Sequence, residues 1–184
     1  MTASTDRLPQ PASALPKSGE SQSGAQGIKK IRAIAITAES FRPFGQLITP
    51  QPDNVPFNPQ DAQLHLDNGT PRFYIMALHQ RGRRFHEITR HGGCTQCLGA
   101  LDGRTWFLGV APPSDAPQPT PEDIKVFEIP GSCFVKLEVG TWHAGPYFDD
   151  ETVNFYNLEL SDTNVVDHTT CDLLQTYGIT FEIV

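Results

Sequence analysis

The sequence has no apolar run approaching the roughly 18 residues that a membrane-spanning helix needs, and its N-terminus lacks the apolar stretch of a secretory signal. A soluble, cytoplasmic protein is therefore expected. Cysteine is scarce, with only Cys94, Cys97, Cys133 and Cys171. The alternatives are a zinc site and a set of reduced thiols. The single C-x-x-C has no second pair to complete a tetrahedron, so buried reduced thiols and no metal are the expectation. Positive charge is also short: 14 Lys and Arg stand against 21 Asp and Glu, for a net charge of −7. The basic excess of the first 30 residues, Arg7, Lys17, Lys29 and Lys30 against Asp6 and Glu20, makes the remainder more acidic still. Such a body repels phosphate backbones and has no basic stripe to hold them, which excludes nucleic acid as an expected partner.

What is present points to strands. A chain of 184 residues has room for one core, and its 16 prolines and 15 glycines punctuate short apolar runs. Residues 1–27, rich in Ser, Pro, Gly and Gln without apolar periodicity, are expected to be a disordered tail; residues 28–184 are expected to form one domain. Ile31 to Ile36 reads as a first strand. Thr37 then caps a helical turn that Gly45 ends. Further strands are expected at Arg72–Leu78, Arg84–Thr89, Thr95–Leu101, Thr105–Ala111, Ile124–Ile129, Cys133–Val139, Thr152–Glu159 and Gly178–Ile183. Asp102-Gly103 carries a hairpin signal, Pro130-Gly131 marks a turn, and Thr120-Pro121 opens a short helical turn. Eight or more short strands make an all-β barrel or jelly roll with one or two short helices.

Two segments carry the chemistry. In the first, Arg90-His91-Gly92-Gly93-Cys94-Thr95-Gln96, two strands meet at the glycines and set His91 and Gln96 on facing strands. In the second, Lys136-Leu137-Glu138-Val139-Gly140-Thr141-Trp142-His143, Gly140 turns the chain so that His143 points inward. Both histidines fit acid–base chemistry, since imidazole titrates near neutrality; packed core histidines are the plain alternative. The Gln96 amide suits a carboxylate or hydroxyl, or simply a strand backbone. Glu138 shares strand parity with Lys136, so a salt bridge competes with catalysis. Arg72 and Arg90 suit a two-pronged contact with a substrate carboxylate, or plain solvation. His65, His79, His86 and His168 read as structural or exposed.

These segments resemble the two cupin motifs. His91, Gln96 and Gly103 fall at the second His, the Glu and the closing Gly of the first motif, and Gly140 and His143 fall in the second. Thr89 stands at the first His position, Gln96 replaces Glu, and Glu138 replaces Pro, so two of the four usual metal ligands remain. Within cupins the chain is similar to the ureidoglycolate lyase family through Arg90-His91, Thr95-Gln96, Val110-Ala111 and Trp142-His143, with Phe41 and Gly45 before them and Cys171-Asp172 after. Ala144 stands where that family often has a second His, and Glu159-Leu160 where an Asp-Arg pair is common.

The resemblance implies a cupin-type β-barrel, a homodimer, and cleavage of ureidoglycolate to glyoxylate and urea in purine nitrogen recovery. His91, His143 and Glu138 are the expected catalytic groups. Gln96, Arg90, Arg72, Lys136 and Trp142 are the expected binding groups for a ureido acid or a glyoxylate-like ligand, with no cofactor. A metal-dependent cupin enzyme and a catalytically retired barrel that binds a small metabolite or a protein partner are the alternatives.

Overall fold

The structure, a computed structural model, describes residues 27–184; the expected tail lies outside the described residues except for Gly27. In chain order the elements are β1 (Gly27–Ile31), β2 (Ala33–Ala35), α1 (Ala38–Phe41), β3 (Gly45–Ile48), β4 (Pro71–His79), β5 (Arg84–Phe85) and β6 (Glu87–Arg90). There follow β7 (Gln96–Ala100), β8 (Gly103–Ala111), a 3-10 turn at Pro121–Asp123, β9 (Lys125–Gly131), β10 (Phe134–Leu137) and β11 (Trp142–Tyr147). The chain closes with β12 (Thr152–Leu160), α2 (Thr163–Val166), β13 (Thr169–Asp172), α3 (Leu173–Tyr177) and β14 (Ile179–Ile183). None of the described helices is long and apolar enough to cross a membrane.

The strands make a five-stranded sheet, β3-β10-β7-β12-β4, facing a six-stranded one, β13-β6-β11-β8-β9-β2. Alternate residues of a strand take opposite faces, so one parity per strand fills the space between the sheets. Leu98, Val135, Leu137, Val153 and Phe155 from the first sheet pack there against Trp106, Leu108, Val110, Phe127 and Ile129 from the second. The six-stranded sheet is buried on its outer face as well. There Phe107, Val126, Trp142 and Ala144 pack against Leu173, Phe181 and Ile183, beneath the three-stranded sheet β1-β14-β5. Burial on both faces explains why β8 reads as a continuous apolar run instead of an alternating one. The result is an all-β jelly roll.

Several local expectations are met and others are corrected. Thr37 caps α1 through a reciprocal box: its hydroxyl accepts from Ser40 N at 3.1 Å, and Ser40 Oγ accepts from Thr37 N at 3.1 Å. Thr120 precedes the 3-10 turn, but its side chain makes no cap bond. The single strand expected over Ile31–Ile36 is two strands: β1 runs parallel to β14 and β2 runs parallel to β9, so the chain changes sheets at Arg32. Gly45 does not end a helix; it opens β3 opposite Leu137. Asp102 and Gly103 both take positive φ, 61° and 68°, as the turn signal requires. The strands they join, β7 and β8, nevertheless belong to different sheets. β3, β11 and β13 are the strands missed. The first and last are only four residues long, and β11 carries a bulge between Ala144 and Tyr147 over a Gly-Pro pair that reads as a turn.

On the outside of the five-stranded sheet Phe73 and Phe134 both stack on Tyr156, with centroids 5.6 and 5.8 Å away, beside Ile75. This apolar strip is largely exposed.

Candidate functional site

The inward rows that are apolar at one end of the jelly roll turn polar at the other. On β12 Val153 and Phe155 give way to Asn157 and Glu159; on β7 Ala100 and Leu98 give way to Gln96. Across the opposing sheet the row Val110, His143, Thr89, Thr170 does the same. Between these polar ends lies a cavity of about 480 Å³, the size of a small-molecule site.

His143 reaches it from β11, and His91 from the residue after β6. Their ring centroids are 5.0 Å apart, and His168 lies 5.7 Å from His91. His91 is 5% exposed, and its Nδ1–H donates to the main-chain carbonyl of Asp167 at 2.5 Å. The Nδ1–H of His143 donates to the Thr141 carbonyl at 3.3 Å. A carbonyl oxygen only accepts, so in both neutral rings Nε2 is the basic nitrogen. Burial, and next the neighbouring His91, push His143 down from 6.5 to about 3 despite the Thr141 bond. Two imidazolium ions this close repel each other, and the pair holds one proton more readily than two.

A pH prediction follows from that depression. In the unfolded chain His143 returns to 6.5, so below that pH the unfolded state binds a proton that the folded state refuses until about pH 3. Folding therefore loses stability as pH falls through this window, at up to about 1.4 kcal/mol per pH unit from this group. The His143→Gln variant is expected to show a flatter dependence when denaturation midpoints are compared between pH 7 and 4, values bracketing most of that window. Equal slopes for variant and wild type would remove His143 as the cause.

The cavity floor is a directional hydrogen-bond network. Glu159, 1% exposed, accepts from the Tyr74 hydroxyl (3.2 Å), Asn164 Nδ2 (3.2 Å) and Gln96 Nε2 (2.9 Å). Gln96 Nε2 gives its second proton to Asn157 Oδ1 at 3.1 Å, and Asn157 Nδ2 donates to the Tyr74 hydroxyl at 3.0 Å. Because the carboxylate only accepts, it fixes which way the Gln96 amide faces. Both Gln96 N–H groups are thereby committed, and its buried carbonyl oxygen has no partner. Gln96 is thus placed to accept and not to donate, which removes its expected use toward a carboxylate.

Of the other expected site residues, Glu138 borders a small crevice shared with His91, Gln96 and His143, and the rest lie elsewhere. Lys136, 0% exposed, sits opposite Gln46 and Cys97 with its ammonium bonded to the Glu138 carboxylate, and neither side chain of that pair lines the main cavity. The salt-bridge reading of this pair is the one realised. Arg90 lies over the Trp142 ring at 4.6 Å and donates to the carbonyls of Ser114 and Ala116 at 3.0 and 3.2 Å. Trp142 is buried in the outer core, on the face of β11 away from His143. Arg72 stacks on the Tyr74 ring at 3.7 Å, outside the cavity lining. The structure brings His91, His143 and Gln96 together and adds Tyr74, Asn157 and Glu159, which the sequence reading passed over. Their signal was the alternation of β12 running on into polar residues. His79, His86 and His168, expected to be structural or exposed, line the cavity or its mouth, as does Arg81, whose guanidinium lies 4.8 Å from the Tyr147 ring centroid.

The donors at the cupin metal positions do not suit a metal. Thr89 Oγ1 is bonded to Thr170 Oγ1 at 3.1 Å, and Gln96 is tied to Glu159, which leaves two imidazoles. Among the described residues no group of three or more His, Cys, Asp or Glu is arranged around a metal position. All four cysteines are free; burial pushes the Cys97 thiol up to about 11, keeping it protonated.

The jelly roll thus carries a cavity with paired imidazoles at its polar end. The sequence pattern of the family "Ureidoglycolate lyase" matches residues 28–176, and the chain belongs to that family, one of lyases. Two solved structures are similar to part of the chain, at 11% identity each. One is an oxalate decarboxylase of Bacillus subtilis with Mn(II) centres, with a TM-score of 0.38, covering 72% of this chain and 29% of its own. The other is RmlC of Streptococcus suis in complex with dTDP-D-xylose, with a TM-score of 0.36, covering 67% of this chain and 53% of its own. No curated protein is matched by the sequence.

Proposed function

We propose that the protein cleaves ureidoglycolate to glyoxylate and urea by proton transfer through the His91–His143 pair. The observation that carries the reading is the pair itself: two rings 5.0 Å apart that line one cavity, each with Nδ1 tied to a carbonyl and Nε2 free to accept. The chemistry balances without an external reagent. One Nε2 takes the hydroxyl proton, the C–O bond becomes the aldehyde carbonyl, the C–N bond breaks with its electron pair going to nitrogen, and the imidazolium returns the proton to that nitrogen. His91 carries the proton in this scheme, while His143 stays neutral and accepts a hydrogen bond.

The walls suit the two ends of such a substrate. The Glu159 carboxylate, in the cavity floor, is the acceptor for ureido N–H groups. Arg81, at the mouth and outside salt-bridge distance of every carboxylate among the described residues, is the cation for the substrate carboxylate in place of an arginine at position 160. A cytoplasmic homodimer completes the proposal; the exposed strip of Phe73, Ile75, Phe134 and Tyr156 is a surface that a second copy would cover.

Purified protein given ureidoglycolate is expected to release glyoxylate and urea in equal amounts, with no ammonia. Binding of glyoxylate without turnover of any ureido acid would favour a barrel that binds without catalysing. Turnover abolished by a chelator and restored by a divalent ion would favour a metal-dependent enzyme.

A further inference from the structure

His91 is followed by Gly92 and Gly93, and all three residues are held by one residue 74 to 76 positions further on. The carboxylate of Asp167 accepts from Gly92 N through Oδ1 and from Gly93 N through Oδ2, both at 2.7 Å. Its main-chain carbonyl accepts from His91 Nδ1 at 2.5 Å. Charge-assisted bonds from two successive backbone N–H groups form a stiff two-point anchor, stronger than neutral bonds of the same geometry. The fit is close: a methyl group on Gly93 would stand 3.0 Å from Asp167 Oδ2. Asp167 is itself placed by the turn after α2, where its N–H donates to the Thr163 carbonyl at 3.1 Å, and the next residue is His168 in the cavity wall.

We propose that Asp167 is a positioning residue: by clamping Gly92 and Gly93 it seats its own carbonyl on His91 Nδ1, and so holds the proton there and leaves Nε2 as the basic nitrogen. The carboxylate touches no reacting atom in this arrangement. It acts through the backbone, locking the height of the turn that carries His91 relative to α2. Without the clamp the turn and the carbonyl separate, and either nitrogen of the ring can carry the proton.

The direct test is nitrogen NMR of histidine-labelled full-length protein at mildly alkaline pH. The expected wild-type spectrum shows His91 protonated at Nδ1, and an Nε2-protonated ring would overturn the proposal outright. Asp167→Ala is expected to mix the two forms and to lower kcat by about 10–10²-fold, the scale of a misplaced catalytic group, with KM little changed. Asp167→Asn, which offers one acceptor but sets a donor against the second N–H, is expected to fall between. A folded Asp167→Ala protein with an unchanged His91 spectrum and unchanged kcat would also overturn it. Should Asp167→Ala fail to fold, the wild-type spectrum and Asp167→Asn decide the question. The kinetic arm rests on the proposed ureidoglycolate cleavage, whereas the spectrum does not. Wild-type protein that releases no glyoxylate yet shows the Nδ1-protonated ring therefore refutes the reaction and leaves the positioning role in place.

Discussion

Replacing either His91 or His143 with alanine is expected to lower kcat for ureidoglycolate by about 10²–10⁴-fold, the range a positioned acid–base group supplies. The double replacement is expected to cost little more than the worse single one, because groups that act as a unit are not additive. The reason lies in the geometry. The rings are 5.0 Å apart with both Nδ1–H groups tied to carbonyls, and the neutral form of His143 is enforced partly by His91 itself. Removing His91 also removes part of what keeps His143 neutral, burial being the larger part. Steady-state kinetics on the two single variants and the double, with melting curves to confirm folding, checks this. If the double variant falls by the product of the single effects, the rings act independently and the paired mechanism is wrong.

Gly45→Ala is expected to be the most damaging small substitution outside the cavity, at about 3 kcal/mol or more. The added methyl would overlap the Lys136 carbonyl oxygen and lie 2.9 Å from its carbon and 3.1 Å from Leu137 Cα. All three atoms are backbone of β10, which is hydrogen-bonded to β3 on one side and β7 on the other. Relief therefore requires shifting the backbone of β3 or β10 and breaking their pairing, not moving a side chain. In a domain of this size such a loss corresponds to a fall in Tm of roughly 6–12 °C. Gly82→Ala is the control: its φ of 75° is also unfavourable to alanine, but nothing lies within 4 Å of the added methyl. It is expected to cost only about 1 kcal/mol, the strain of a left-handed alanine. Chemical denaturation of both variants discriminates; a Gly45→Ala protein within about 1 kcal/mol of wild type would refute the close-approach argument.

The sequence told that His91 and His143 come together but not what surrounds them. His91 and His143 stand out by their spacing from Gly92-Gly93 and Gly140, local features that survive in a linear reading. The partners of Glu159 do not. Tyr74, Gln96 and Asn164 come to it from 85, 63 and 5 residues away, and only strand pairing places them. Local pattern also misjudged cations. Arg90, Lys136 and Arg72 are each satisfied by a neighbour, a pair of carbonyls, a carboxylate and an aromatic ring respectively, and none lines the cavity. The parity of Lys136 and Glu138 was legible and did foretell their pairing. Sheet membership was the other loss. The Asp102-Gly103 signal reports a tight turn faithfully, yet the same turn serves a hairpin or a passage between facing sheets, and the choice rests on residues far along the chain.

The parallel pairing of β1 with β14, from Gly27↔Ile179 to Ile31↔Ile183, has a consequence for how the molecule comes into being. These partners are about as far apart in sequence as the described chain allows, and closing so large a loop costs entropy before any contact returns it. During synthesis β2 can find β9 and the facing sheets can collapse, but the outer core remains uncovered until Phe181 and Ile183 emerge. The strand that seals it follows every other described strand, so the outer core closes only once β14 has been made, however early the facing sheets form.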